Sequence, residues 1–511
     1  MHPCLNVDEI IRLLVCELVG SGAKATAVSL SCCCRTFEDS VLDVLWETQV
    51  KLSALLKCFP QEVWSQEMRG LVSRLMSCKL SPLTRLSRKS FERVPTKEEW
   101  ARLRKYARRM KTLEVHGFED PIAPEVFPVL QLRTANELFL PRLQRFQCEE
   151  PTTEFIPFIP LFLSPRTIDV DITFAEESHF LVDASIISRL PTLCPELECI
   201  TLRSLLRTPI VIAAVSEMLL ACNRDSLQSF SVNSPLTEEA QEVLFHLPKL
   251  SKLWTVFQGG TKLPSVTLPN LTTIDVEYDD SLDWLEEFRG VALGKLESIS
   301  FHSGSEQIGD FLGAFESVAL TTSAQNTLSS FSFYTSRSWN PNYSSLLSFK
   351  QLQTLEIEFD CRGGCSSRVD DEVITALSQA MPKLEVLRLG GVPCGTSTGA
   401  TFDGLVDLSL RCPRLTKLHV HFHVDSLIDA TVNVTTSTDG EPIFWREDCA
   451  LTDLEVGNIP IPPQSALVVT LSLLQIFPRI LNIVDYTNPE WETVAEAIKK
   501  FRQVGTLVHR R

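Results

Sequence analysis

One short apolar pattern recurs along the chain and restricts its fold more than any other feature. The pattern is L-x-x-L-x-L, often preceded by proline. Its clearest copies are Leu352-Gln-Thr-Leu355-Glu-Ile357, Leu384-Glu-Val-Leu387-Arg-Leu389, Leu415-Thr-Lys-Leu418-His-Val420 and Leu451-Thr-Asp-Leu454-Glu-Val456. Earlier copies start at Met110, Leu143, Leu197, Leu227, Leu250, Leu271, Leu296 and Leu328, which makes about twelve units. Most starts lie 21 to 36 residues apart, and the 54-residue gap after Leu143 leaves room for a degenerate unit around Thr167-Ile-Asp-Val170. The last three residues of each copy alternate as a strand does, with two side chains inward and one outward. Helix-like stretches separate them: Asp183–Leu193, Thr237–Leu247, Asp370–Met381 and Phe402–Arg411. One such unit cannot bury its own apolar face, so the units must stack on one another. Three aliphatic residues per unit, at about 1.5–3 kcal/mol each, give every unit a comparable stake in its neighbours.

A chain of 511 residues exceeds one ordinary core, and its 44% apolar and 22% charged content reads as folded. With 28 Phe against 5 Tyr, the aromatic residues serve mainly as core filling. The net charge is −16, yet residues 85–111 hold eleven Lys/Arg and three Glu, so the rest sums to −24. An acidic body argues against a nucleic-acid surface. The sixteen cysteines form no spaced framework, and reduced, buried thiols are expected. Cys361-Arg-Gly-Gly-Cys365 lacks a second pair at zinc-ligand spacing, so no metal is expected. No signal peptide is visible, and the apolar stretch Ala466–Phe477 is too short to span a bilayer, which points to a buried helix. A cytoplasmic or nuclear protein without membrane contact follows as the expectation.

Residues 5–49 predict three short helices. Asn6 and Glu9 could form a capping box for the first, with Ile10, Leu13, Leu14 and Leu18 on one face. Gly20-Ser-Gly22 breaks the chain; a second helix is expected from about Ala23 to Cys33, and a third from near Glu38, carrying Val41, Leu42, Leu45 and Trp46. A module this small sits at the lower limit of independent stability and should lean on another surface. The stretches Leu5-Asn-Val-Asp-Glu-Ile10-Ile-Arg-Leu-Leu14, Leu30-Ser-Cys-Cys-Cys-Arg35-Thr-Phe37 and Leu42-Asp-Val-Leu45-Trp46-Glu resemble an F-box, most closely that of fungal F-box-like proteins with cysteines crowding the second helix. The family pattern opens with Leu-Pro where this chain has Leu5-Asn6, and Phe37 stands where Trp is usual. The repeats that follow resemble the leucine-rich repeats of F-box proteins, without the usual Asn after the strand: Asp279, Asp360 and Val392 stand there.

The expected architecture is therefore α/β: an F-box-like three-helix module over residues 1–60, a basic helical linker over 61–109, and an irregular leucine-rich-repeat solenoid over 110–511, an arc or horseshoe with a C-terminal cap. In the linker, Thr96 and Glu99 form a capping box, Trp100, Leu103, Ala107 and Met110 form a buried stripe, and the basic residues face out. Their outward charge reads either as a solvated surface or as a site for an acidic partner.

The resemblance implies docking of a Skp-type adaptor of a cullin–RING ubiquitin ligase, with Leu5, Val7, Ile10, Leu14, Leu30 and Trp46 as candidates for the adaptor face. The middle residue of each L-x-L points to the concave side, which gives Trp254, Asp275, Glu356, Arg388 and His419 as candidates for holding a target protein. His419, His421 and His423 alternate and are expected as an exposed polar face beside buried Val420 and Phe422. No P-loop or nucleophile elbow is present, and no catalytic site or cofactor is expected. The expected role is a substrate-recognition subunit of a ubiquitin ligase. The alternative is a repeat scaffold outside any ligase, with the F-box-like helices acting only as its cap.

Overall fold

A computed structural model of the chain describes residues 7–68, 87–116, 122–134, 137–149, 151–174, 179–257, 268–278, 285, 293–304, 308, 310–337, 339–359, 369–390, 399–433, 449–457, 459–462, 464–485 and 488–508. The fold is mixed α/β, and the chain divides into two compact units, Met1–Leu250 and Ser251–Arg511.

The first unit opens with α1 (Asp8–Gly20), α2 (Lys24–Cys33) and α3 (Arg35–Glu47). Helix α1 ends in a Schellman turn: Gly22 takes φ +81°, and Ala23 N–H reaches back to Leu18 C=O at 2.8 Å. Val7 rather than Asn6 occupies the N-cap of α1 and offers no side-chain cap; Asn6 lies outside the described residues. Asp8 instead accepts from Ser40 Oγ at 3.0 Å, tying the start of α1 to α3. Helix α3 starts three residues before Glu38, immediately after extended Cys34. The core of the three helices is Ile11, Val15, Ala27, Phe37 and Val41. This corrects the expected inward face of α1, because Leu13 and Leu14 are 71% and 49% exposed.

After α3 come β1 (Thr48–Gln49) and a hairpin of β2 (Trp64–Met68) with β3 (Ser87–Phe91). The hairpin stands inside the segment expected to be helical. Trp64 and Phe91 pair across it with ring centres 4.6 Å apart, and Phe59 joins both rings and Trp100. Helix Lys97–Ala107 has the expected capping box, and Trp100, Leu103, Ala107 and Met110 are buried as its spacing requires. Then β4 (Thr112–His116), β5 (Arg145–Glu149), β6 (Asp169–Thr173), β7 (Cys199–Arg203) and β8 (Ser229–Val232) follow, and β5 to β8 are each parallel to the strand before. β1 pairs with β4, so the N-terminal module hands the chain directly into the row of strands.

Among the described residues the second unit carries nine parallel strands in sequence order: β9 (Lys252–Phe257), β10 (Thr273–Tyr278), β11 (Ser298–Ser303), β12 (Ser330–Thr335), β13 (Thr354–Phe359), β14 (Val386–Gly390), β15 (Lys417–Val420), β16 (Asp453–Gly457) and β17 (Asn482–Asp485). Every copy of the apolar pattern yields one strand, including the degenerate one, where buried Thr167 replaces the first Leu and donates to Leu143 C=O at 3.2 Å. β17 escapes the pattern because Ile480 and Ile483 are followed by Asp485 at the third apolar place. Four helices between strands begin where a side chain caps them: Thr208, Thr237, Asp310 and Asp370 each accept from a first-turn amide. The stretch Ala466–Ile476 is a helix with one buried side, and among the described residues no helix is long and apolar enough to cross a membrane.

Neighbouring strands are coupled by one repeated device. The two amides that enter each strand converge on a single carbonyl of the previous unit. Gln144 and Arg145 donate to Lys111 C=O, Glu385 and Val386 to Gln353 C=O, and Thr416 and Lys417 to Glu385 C=O. Thr272, Ser329, Thr416 and Thr452 add a hydroxyl to the same carbonyl. Both lone pairs of that oxygen are thus used, and the backbone polar groups are satisfied between units. The positions Asp279, Asp360 and Val392, where an Asn ladder would stand, lie outside the described residues.

Behind the strands the core is largely aliphatic, and it is richest in aromatic rings between Phe301 and Phe349. Phe301, Phe311, Phe315, Phe331 and Phe333 are fully buried or nearly so and pack ring against ring. Leu355 stands in register with Phe331 of this array and has no exposed surface. Leu355→Ala should cost about 2–5 kcal/mol, the usual range for emptying a packed leucine site. Chemical denaturation followed by circular dichroism checks it.

Candidate interaction surfaces

The first surface lies on the N-terminal helices. Once Ile11 and Val15 have closed the core, Val7, Leu13, Leu14 and Val28 remain exposed. Val7, Ile10 and Leu14 are spaced three and four residues apart and form one stripe of α1. Ile10 is half-buried, and Leu30 is half-buried against the core. Trp46 is half-buried as well, with its ring 4.7 Å from that of Tyr106. Leu5 lies outside the described residues. The structure therefore sets Val7, Ile10 and Leu14 together and leaves Leu30 and Trp46 engaged in internal packing.

The basic helix has a use that the sequence reading missed. Helix α3 carries Glu38, Asp39, Asp43 and Glu47, and the basic residues lie against them. Lys105 meets Glu38 at 2.6 Å, Arg109 meets Asp39 at 2.5 Å and also pairs with Asp43, and Lys111 meets Glu47 at 2.9 Å. Arg104 turns to Glu137 at 2.8 Å. Exposed pairs such as Lys105–Glu38 are worth only about 0–1 kcal/mol. Arg109 is different, because its side chain is 12% exposed and serves two carboxylates at once. The signal was available as the i, i+1, i+5, i+9 acidic spacing on α3.

The second surface is the strand face of the Ser251–Arg511 unit. Trp254, Asp275, Ser300, Ser332, Glu356, Arg388, His419 and Glu455 occupy one row, each in register with the next. All five target-face candidates thus fall on one line. Glu277, His302, Tyr334, Glu358 and Gly390 form a parallel row two residues further along the strands. The polar groups are wired together. Tyr334 OH and Ser332 Oγ donate to Glu356 Oε2 at 2.6 and 3.2 Å. Arg388 lies 3.0 Å from Glu358 and 3.9 Å from Glu356, and pairs with Glu455. His302 stacks on Tyr334 with ring centres 4.9 Å apart and approaches Asp275 at 3.3 Å.

Two of the candidates are withdrawn from solvent to different degrees. His419 is only 2% exposed, closed in beside Arg388 and Glu455, so its ring is not offered outward. The expected exposed histidine face is therefore corrected: β15 ends at Val420, and His421 and His423 lie beyond it, half-buried. Val420 and Phe422 are buried as expected. Trp254 is half-buried rather than a fully exposed anchor.

Burial dominates the electrostatics of this face. Burial raises the pKa of Glu358, and neighbouring Glu356 and Glu455 add to the rise against the pull of Arg388 and His419. Burial works against the charge of Arg388, but its hydrogen bond to Glu455 and the nearby carboxylates outweigh it and hold the guanidinium charged. Burial, and then its bond to Glu356, also raise the pKa of Tyr334.

Among the described residues the thiols range from buried through half-buried to exposed. Cys148, Cys194, Cys412 and Cys449 are buried, and burial pushes Cys194 and Cys412 up to about 12. Cys16, Cys32 and Cys33 are exposed, which corrects the expectation of buried thiols for the second helix. Cys361 and Cys365 lie outside the described residues, and among the described residues no group of His, Cys, Asp or Glu could hold a metal ion.

No protein-family model matches the chain, and no curated protein matches it.

Because the folded pKa of Glu358 lies above its unfolded value, the folded chain holds that proton more tightly. The stability from this group is full below the unfolded pKa and is lost as pH rises through the folded pKa. Glu358→Gln removes that dependence. The stability of the variant relative to the unaltered chain should therefore become more favourable from about pH 4 to about pH 7, measured by urea denaturation at each pH.

Proposed function

We propose that the chain is an F-box protein with a leucine-rich-repeat array, acting as the substrate-recognition subunit of a cullin–RING ubiquitin ligase. The N-terminal helices dock a Skp-type adaptor, and the strand face holds a target protein. The observation that carries the docking half is the apolar stripe of Val7, Ile10 and Leu14, at the edge of a module whose core is already closed; Leu13 and Val28 are exposed as well. An exposed stripe of this kind on a small helical module marks an interface. The recognition half is supported by polar and aromatic residues in register across neighbouring strands, a pattern suited to reading an extended surface. Such a subunit does no chemistry. It gains rate by raising the effective concentration of target lysines near the ubiquitin carrier.

A second reading has its own support. β1 pairs with β4, Lys111 N–H donates to Glu47 C=O at 2.8 Å, and α3 is held by the Lys105 and Arg109 ion pairs. These contacts fit helices that cap the row of strands in a scaffold independent of any ligase.

Leu14→Asp separates the two, since the side chain is exposed and outside the core. The docking reading expects the unaltered chain to co-purify with a Skp-type adaptor at micromolar concentration and the variant to lose at least about tenfold in affinity, about 1.4 kcal/mol. An unaltered chain that binds no adaptor leaves the cap reading in its place.

A further inference from the structure

We infer that the turns leading into the strands of the Ser251–Arg511 unit form a basic ridge that binds an extended, carboxylate-rich segment of a partner protein. The ridge is distinct from the row of residues proposed to hold a target, and it needs no adaptor.

It follows from one turn used many times. In six repeats a buried residue and the first Leu or Ile of the pattern stand three apart, and the N–H of the second donates to the C=O of the first. The pairs are Leu268–Leu271, Leu293–Leu296, Phe349–Leu352, Met381–Leu384, Cys412–Leu415 and Phe477–Ile480, at 3.1 to 3.3 Å. Each is a β-turn, and four of them carry Pro at the second position. With both ends buried, the two middle residues form a tip at the surface. Lys295, Lys350, Lys383, Arg414 and Arg479 stand at these tips and are exposed. Parallel pairing sets one tip beside the next: Lys295 Nζ donates to Asn270 Oδ1 at 3.0 Å, and Lys383 Nζ to Gln351 Oε1 at 2.6 Å, each from one tip to its neighbour.

The charge pattern runs against the composition around it. Residues 251–511 hold 20 Lys/Arg and 32 Asp/Glu, a difference of −12, yet none of the six tips carries an acid. Among the described residues none of the five cations has a carboxylate partner, and the two that donate hydrogen bonds from their side chains meet neutral amides. Glu297 and Glu385 lie two residues beyond Lys295 and Lys383 and pair with neither. Lys383, Arg414 and Arg479 follow the ends of helices Asp371–Ala380, Phe402–Arg411 and Ala466–Ile476, where the helix dipole favours a cation. That placement lines the charges up without consuming them.

The spacing gives the occupant its shape. Strands lie about 4.8 Å apart, so Lys350, Lys383 and Arg414 on three consecutive turns span about 10 Å, and the row from Lys295 to Arg479 spans about 29 Å. An extended peptide advances about 3.3 Å per residue, so about nine residues cover the row. Nucleic acid fits less well. No tip carries an aromatic ring on which a base could stack, and a longer polyanion would run on into the acidic remainder of the unit.

The test uses the full chain and a fluorescein-labelled peptide of alternating Glu and Ser, about nine residues long, compared by fluorescence anisotropy with the same peptide carrying Gln for Glu. The Glu peptide should bind at least about tenfold more tightly, and the preference should shrink as salt is raised. Lys383→Gln with Arg414→Gln, and separately Lys295→Gln with Lys350→Gln, should each cut the preference at least about threefold. Lys499→Gln with Lys500→Gln, exposed cations of the last helix, should leave it intact. Equal binding of the two peptides by the unaltered chain overturns the inference, and so does an undiminished preference in either ridge variant. Tighter binding of an oligothymidylate of the same charge overturns the assignment to a protein segment. If a Skp-type adaptor binds while the peptides are not told apart, the ridge is refuted and the ligase reading stands. If the peptides are told apart and no adaptor binds, the ridge stands without the ligase.

Discussion

A backbone oxygen that takes two amides from the next unit, at every step within each row, is the interaction on which the rest of this structure depends. In the second unit the series runs from Ser251 C=O to Thr452 C=O, with donor distances of 2.7 to 3.1 Å. One such bond contributes only about 0.5–1.5 kcal/mol net. Its larger effect is on register. With both entry amides fixed to one oxygen, a strand cannot slip by one residue, and a slip would move every leucine from the core to the surface. Leu355, Leu387 and Leu418 stay stacked in the core because Gln353 and Glu385 hold the entry to each strand.

Fixed register has a second consequence, on the opposite side of the strands. Residues that alternate with the core positions are forced into straight rows, whatever their chemistry. Glu356, Arg388, His419 and Glu455 are neighbours for that reason alone, and so are His302 and Tyr334. A row that crowds carboxylates is costly unless cations offset them. Arg388 supplies part of the offset, and burying His419 beside Glu455 adds a polar group at the same place. The face is thus preorganised and polar.

Much of this was legible in the sequence because the core uses one pattern many times. Even the degenerate unit at Thr167 could be placed, since Val170 and Ile172 keep the alternation. What escaped had physical reasons. β17 puts Asp485 at the third apolar position, and β1 is two residues long, recognisable only from its partner β4. The hairpin at Trp64–Phe91 is held by aromatic contacts distant in sequence. On α1 the apolar arc is wider than the module can cover, so periodicity alone did not tell Ile11 and Val15 from Leu13 and Leu14. The row of target-face candidates followed from alternation, but the burial of His419 depended on neighbours two strands apart in space and 30 or more residues apart in sequence. The acidic spacing on α3 was a signal for its ion pairs with the basic helix, but only when both segments are read together.

The N-terminal module brings these threads together. It is small, it leaves an apolar stripe uncovered, and it leads through β1 into the same parallel pairing that organises the rest of its unit. The claim most exposed to test is that the paired entry amides fix the strands. Hydrogen–deuterium exchange on the full chain reads this directly. The account predicts that the amides of Gln353 and Thr354, Glu385 and Val386, and Thr416 and Lys417 exchange slowly and together with strands β13, β14 and β15. Exchange at those pairs as fast as in an unstructured peptide, while the strands stay protected, would contradict it.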